Sequence, residues 1–277
     1  MIHYASAEMK LQLPDGFLDE VIQTKKDLVT VSQCRHGTFM YFPHDFYLGG
    51  AMDRYGEYAE DESRLLMKFI RPGDIVVEVG ANAGFHTVAL AKQVGPSGRV
   101  MAFEPQRIIY QMMCGNIALN ELWNVFTAQM ALGASNGWVS VPPVDYSQEG
   151  NFGAVEMCNE GERVQIVTLD SMQLSRCDLI KIDVEGMEQQ VLQGGYETIK
   201  RSRPVLYVEN DREGKQEDLL NYIQSLEYDC YAHLPKLFSK FNYRGNQDNE
   251  YGETISLNML CLPRERQFDI PETVEAL

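Results

Sequence analysis

The chain has 277 residues, 44% hydrophobic and 23% charged, which suffices for one substantial core and excludes a globally disordered chain. Its formal net charge is −16, so it is poorly disposed to bind phosphate backbones, and nucleic acid is not expected as a partner. Six cysteines (Cys34, Cys114, Cys158, Cys177, Cys230, Cys261) form no CxxC pair and no metal-spaced set with histidine, and read as thiols of a reducing compartment.

Residues 1–10 hold no apolar signal-peptide core and no window is apolar enough to span a bilayer, so the expected location is cytoplasmic. Leu11, Leu13, Phe17, Leu18, Val21 and Ile22 lie at helical spacing. Residues 27–48 alternate loosely and suggest short strands. A helix is predicted over 64–70, closed by Arg71-Pro72-Gly73. Residues 1–60 are expected to form a cap on a core domain of residues 61–277.

From Asp74 strands and helices alternate. Strands are predicted at 75–79, 99–104, 124–128, 137–141, 164–168, 178–183, 204–209, 226–232 and 256–262. Helices are predicted near 85–94, 106–120, 187–201 and 213–225, with Lys200-Arg201-Ser202-Arg203 at a helix C-terminus. This rhythm predicts an α/β fold with a parallel sheet and helices on both faces. The last two strands, joined through the polar segment 242–253, are expected to form an antiparallel hairpin at one sheet edge.

The most informative stretch is Glu78-Val79-Gly80-Ala81-Asn82-Ala83-Gly84, a strand end, a tight turn and a helix start. Its glycines follow GxNxG rather than the GxGxxG of dinucleotide sites, and a carboxylate at Glu78 repels pyrophosphate but attracts an ammonium. That favours S-adenosylmethionine. Glu104, closing the next strand, is placed to accept hydrogen bonds from ribose hydroxyls. Asp183 and Glu209 end two further strands at the same edge, as a general base for a hydroxyl or, with Asn210, as ligands for a hard divalent cation such as magnesium. Glu185 and Glu188 suit a helix N-terminus. His86 reads as a packing or cofactor-neighbouring residue, and His44 and His233 as structural ones. Tyr55, Tyr58 and Glu62 are candidates to close over the methionyl group, and residues 151–153 and 242–249 to reach a hydroxylated substrate. An NAD-dependent oxidoreductase and a non-catalytic binding protein are the alternatives.

Residues 56–262 resemble the FkbM-type methyltransferases, a branch of the Rossmann-like class I S-adenosylmethionine-dependent enzymes. The resemblance rests on Val77 to Thr87, Ala102-Phe103-Glu104-Pro105, Thr168-Leu169-Asp170-Ser171, the run Leu179-Ile180-Lys181-Ile182-Asp183-Val184-Glu185-Gly186-Met187-Glu188, and Asn116 and Asn120. It implies a seven-stranded, mostly parallel sheet with an antiparallel C-terminal hairpin. It also implies methyl transfer, usually to oxygen on a sugar, lipid or secondary metabolite. By the same resemblance Glu78, Gly80, Asn82 and Gly84 line the methionyl part, flanked by Phe85, Thr87 and Pro105; Glu104 holds the ribose, Ala131 neighbours the adenine and Asp183 sits beside the transferring methyl. The partner expected is a small-molecule hydroxyl acceptor; a homo-oligomer stays open.

Overall fold

The computed structural model describes residues 28–277, so the helical spacing at residues 11–22 lies outside the described residues. The described chain opens with the hairpin β1 (Thr30–Cys34) and β2 (Gly37–Tyr41), then α1 (Leu48–Tyr55) and α2 (Glu60–Phe69). Helix α2 starts at Glu60 rather than at Arg64. Its first turn carries Glu60, Asp61 and Glu62, where carboxylates suit the positive end of the helix dipole.

The central sheet runs β13-β11-β12-β10-β9-β3-β4-β5. Its parallel half is β3 (Ile75–Val79), β4 (Arg99–Phe103), β5 (Val125–Ala128), β9 (Leu179–Ile182) and β10 (Val205–Glu209). The antiparallel half is β11 (Tyr228–His233), β12 (Asn258–Pro263) and β13 (Val274–Ala276). There are eight strands where seven were expected, because residues near the C-terminus add β13. The expected antiparallel pair forms, but β12 lies inside, between β10 and β11, and β13 takes the outer edge. Helices α3 (Phe85–Val94), α4 (Arg107–Leu119) and α7 (Gln216–Ser225) carry the crossovers and the link to β11. No helix among the described residues is long and apolar enough to cross a membrane.

Two expectations change. The strands predicted at 137–141 and 164–168 leave the central sheet and, as β7 (Gly137–Val141) and β8 (Glu162–Val167), join β6 (Ala131–Leu132) in a separate sheet of order β6-β8-β7. Burial explains the difference: β9 is buried at every position, whereas β8 is exposed at Glu162, Arg163 and Gln165, as a strand with one solvated face should be. The helix predicted over 187–201 is two, α5 (Glu188–Gly194) and α6 (Tyr196–Ser202). Backbone approaches closely at the break: a Cβ on Gly194 would lie 2.0 Å from the carbonyl oxygen of Gly133. Asp170 then caps α6 by accepting from the backbone N–H groups of Glu197 and Thr198 (3.0 and 2.8 Å). Lys200 and Arg201 occupy the last turn of α6, as expected.

Register sorts one sheet face into rows. Val76, Leu179 and Val205 align as an apolar row covered by Leu65 and Leu66 of α2 and Leu90 of α3. One pleat nearer the strands' carboxyl ends, Glu78, Lys181 and Tyr207 align. Beyond them come Gly80, Asp183 and Glu209.

Helix α4 fastens the N-terminal hairpin. Asn116, fully buried, accepts from Met40 N (2.6 Å) and donates to Met40 O (2.9 Å) and Ala83 O (2.8 Å). One turn later Asn120 accepts from Thr38 N and donates to Thr38 O. Two side-chain amides at i and i+4 thus satisfy the free backbone edge of β2 as a neighbouring strand would. Because Asn116 also holds Ala83, it ties the hairpin to the turn after β3. Asn116→Ala strands three backbone groups, one buried and two part-buried, and should cost about 2–4 kcal/mol in urea denaturation; a loss under about 0.5 kcal/mol would contradict this role.

Candidate functional site

The sheet's strand order reverses between β3 and β9, whose carboxyl ends open a crevice. Gly80 follows β3 at φ +80°, and a Cβ there would lie 1.7 Å from the carbonyl oxygen of Asp183. Only glycine lets the two strand ends meet this closely. The turn runs on through Asn82 (φ 48°) to Gly84, the left-handed residue from which α3 starts.

Two adjoining cavities share Gly80, Glu104, Gly153, Asp183 and Glu185 on their walls. The smaller, about 40 Å³, adds Pro105, Gln106, Met130, Ala131 and Leu132. The larger, about 540 Å³, adds Glu78, Asn82, Phe85, Lys181 and Glu209, with Tyr58 and residues 254–257 facing them. Of the residues expected from sequence, Glu78, Gly80, Asn82, Phe85, Glu104, Pro105, Ala131, Asp183 and Glu209 therefore converge. Gly84 and Thr87 line neither cavity. Gly84 sets the start of α3, and Thr87 Oγ1 donates to Glu78 Oε2 at 2.6 Å.

Each acidic group has a defined setting. Glu78 is 1% exposed. Burial pushes its carboxyl up to about 7, against the opposing pull of Lys181 and the Thr87 hydroxyl. Burial likewise raises Glu104 to about 7, although both its oxygens accept backbone N–H groups, from Asn82 (2.9 Å) and Gln106 (2.8 Å). Asp183 is half exposed and takes a hydrogen bond from Lys181 Nζ at 3.0 Å. Glu209 is pushed up to about 10 by burial and by the nearby charges of Asp183 and Asp211, and its buried Oε2 has no hydrogen-bond partner. Its surroundings bias it toward the protonated carboxylic acid.

Sequence reasoning had placed no role on Lys181, Gln106 or Arg212, and only a closing role on Glu62. Lys181 had a readable signal: a lone lysine within the otherwise apolar run Leu179–Ile182. Gln106 links the end of β4 to the segment between β7 and β8, donating to Phe152 O (2.9 Å) and accepting from Tyr146 Oη (3.3 Å). Phe152 and Tyr146 pack on Phe42 of the N-terminal segment, so this strap crosses the crevice on aromatic supports. Arg212 pairs with Glu185. His86 is neutral: burial and then the Lys181 charge hold its imidazole well below the usual range, and Nδ1 bonds Ser63 Oγ at 2.9 Å. Glu188 caps the turn before α5, accepting from Gly186 N (2.9 Å), as expected. The loop 242–249 does not line the cavities; it folds against α1, with Arg244 N donating to Tyr55 O and Tyr55 Oη donating to Asp248 O.

The donor set expected for a divalent cation assembles differently. Asp183, Glu185 and Glu209 each bring one carboxylate oxygen within 4.8 Å of the others, while Asn210 turns its amide to Met259 Sδ. Two of those three carboxylates already carry a cation of the chain itself, Lys181 on Asp183 and Arg212 on Glu185.

Residues 78–244 match the family described as the methyltransferase FkbM domain. Methyltransferase sdnD of Sordaria araneosa is 27% identical over 43% of this chain, which spans 59% of that protein's length. Among solved structures, a methyltransferase FkbM of Methylobacillus flagellatus aligns at 18% identity and a TM-score of 0.48, covering 69% of this chain and 44% of that one. Fibrillarin of Aeropyrum pernix, with natively bound S-adenosyl-L-methionine, aligns at 9% identity and a TM-score of 0.45, covering 87% of this chain and 86% of that one.

Glu62, Glu78 and Glu104 are each raised to about 7 from an ordinary value of 4.5, so the fold favours their protonated forms. The stability they contribute is full below pH 4.5 and is lost as pH rises through 7. The ligand-free chain should therefore melt about 5 °C or more lower at pH 8.5 than at pH 5.5 by scanning calorimetry; a rise over that interval would contradict the assignment.

Proposed function

We propose, from the premise that this chain belongs to the FkbM methyltransferase family, that it is an S-adenosylmethionine-dependent methyltransferase acting on a hydroxyl oxygen. The observation that carries the reading is the convergence, around Gly80, of Glu78, Glu104 and Asp183 from the ends of three neighbouring strands. The residues suit the cofactor by their chemistry. Glu78 offers a buried carboxylate to its ammonium, and the missing Cβ of Gly80 lets β9 end against the turn and bring Asp183 beside it. Glu104, held by two backbone N–H groups, keeps lone pairs for ribose hydroxyls. Ala131, between Met130 and Leu132 in the smaller cavity, provides an apolar wall for adenine. Residues 1–60 act in this reading as the cap on the domain of residues 61–277. They supply Tyr47, Leu48 and Tyr58 to the larger cavity.

The cofactor supplies an electrophilic methyl group on a sulfonium. Positioning is the main contribution of the chain. With one Asp183 oxygen fixed by Lys181, the other would accept the acceptor hydroxyl's proton when the methyl group is transferred. Glu209, biased toward its protonated form, is the weaker competitor for that proton. The acceptor in this reading is a sugar, lipid or secondary metabolite, which the mix of aromatic rings and carboxylates on the walls of the larger cavity supports.

Two measurements test this. Calorimetry should detect binding of S-adenosylhomocysteine, and Asp183→Asn should lower the rate of radiolabelled methyl transfer across a panel of hydroxyl acceptors about 100-fold or more. An Asp183→Asn enzyme with undiminished turnover would remove Asp183 from the chemistry. We further infer that no divalent cation is needed, since Lys181 and Arg212 already neutralise two of the three clustered carboxylates. Transfer should survive exhaustive chelation with EDTA; loss restored by magnesium would overturn this inference.

A further inference from the structure

Lys181 is 2% exposed in the middle of the sheet, a position where a charged ammonium persists only with compensating charge. Register places it between Glu78 of β3 and Tyr207 of β10, all three side chains on the sheet face that α2 covers. Its Nζ bonds Asp183, two residues on along the same strand. From α2 comes Glu62, 5% exposed, whose Oε1 accepts from Asn258 Nδ2 at 3.2 Å and whose Oε2 stands 3.8 Å from His86 Nε2. One cation thus faces three carboxylates, one from α2 and two from adjacent strand ends.

Resting on the methyltransferase reading above, we propose that Lys181 is the positioning residue of the site. Its ammonium fixes the Asp183 carboxylate and is the built-in counter-charge that opposes burial at Glu78, so that this carboxyl can ionise to meet the ammonium of the cofactor. Glu62 shares that counter-charge from α2, so the helix and the cofactor turn draw on the same cation.

Every group facing Lys181 bears on this: Asp183 on its own strand, Glu78 on β3, Tyr207 and Glu209 on β10, Glu62 on α2, His86 on α3 and Tyr58 just before α2. Tyr207 and Tyr58 are held neutral, chiefly by burial, and His86 is neutral, so none of them competes for the role of counter-ion. Burial alone would lower the Lys181 ammonium; the charges of Asp183, Glu78 and Glu62 together outweigh it and raise it. Glu78 binds an ammonium only as a carboxylate. Cofactor affinity should therefore rise with pH as Glu78 ionises, and Lys181 sets where that rise falls.

The test is calorimetry with S-adenosylhomocysteine, which carries the same amino-acid end, between pH 6 and 8.5. In the unaltered chain affinity should climb through pH 7, where Glu78 titrates. Lys181→Met should move the climb at least one pH unit upward and weaken binding about tenfold or more at pH 7, one unit corresponding to about a tenfold change. Lys181→Arg, which keeps the charge, should stay close to the original midpoint. A folded Lys181→Met variant with the original midpoint and affinity overturns the proposal. If that variant does not fold, Glu62→Gln carries the test. Relieving Lys181 of one carboxylate should move the climb downward, and an upward shift or none overturns the proposal. A parent chain that binds no S-adenosylhomocysteine at any pH sinks the methyltransferase reading itself; binding by the parent with unmoved variants sinks only the role of Lys181.

Discussion

Charge balance in a dry place is the constraint on which the site depends. Glu62, Glu78 and Lys181 are each less than a tenth exposed, and with Asp183 they form a group that no single strand or helix could hold. An isolated buried carboxylate would neutralise itself by taking up a proton. Here the central strand of the sheet brings an ammonium into the group. The carboxylates sit on neighbouring elements because register puts them there: Glu78 opposite Lys181, Asp183 one pleat further on, and Glu62 descending from the helix that covers the row. The apolar row beneath, Val76, Leu179 and Val205, gives this layer a rigid floor.

Backbone geometry makes the crevice above it. The missing side chain at Gly80 lets β3 and β9 end in contact, and the turn from Gly80 to Gly84 then has to be held from outside. Glu104 does so from β4 through Asn82 N, and Asn116 does so from α4 through Ala83 O. The same Asn116 grips the backbone of Met40, so the N-terminal hairpin and the turn after β3 are fastened by one side chain. A change in the seating of that hairpin is thereby felt at the turn.

How much of this the sequence disclosed depended on how local each signal was. The strand at 75–79 and the helix at 85–94 were legible to the residue, because an unbroken apolar run and a glycine-marked start are local patterns. Glu78, Glu104 and Asp183 were legible too, since each closes a buried strand on the same edge of one sheet. Pairing was not. The run 162–167 reads as a strand anywhere, and only its half-solvated burial shows that it belongs to a different sheet. The task of Lys181 is not legible in its motif, because its partners Glu78 and Glu62 lie more than a hundred residues away and the folded sheet alone joins them. The inner place of β12 and the eighth strand depend on long-range pairing of the same kind.

The two sides of the crevice are built by different means. One side consists of strand ends and a helix start, elements fixed by the packing of the whole sheet. The opposite side is made of loops from both ends of the chain, Tyr47 and Tyr58 on one part, Leu237 and residues 254–257 on the other. These loops are nonetheless cross-tied. Tyr251, 5% exposed, donates to the carbonyl oxygens of Phe46 and Tyr47 (2.9 and 2.8 Å) and stacks on the Tyr47 ring, while Tyr55 Oη reaches Asp248 O. The width of the larger cavity is therefore set by contacts between segments some two hundred positions apart. Substitutions in either segment can reshape the wall on which an acceptor would rest without disturbing Gly80, Glu78 or Glu104. On the proposed reading, a fold arranged this way can change its acceptor while keeping the side assigned to the methyl donor, because loops tolerate change that packed strand ends do not.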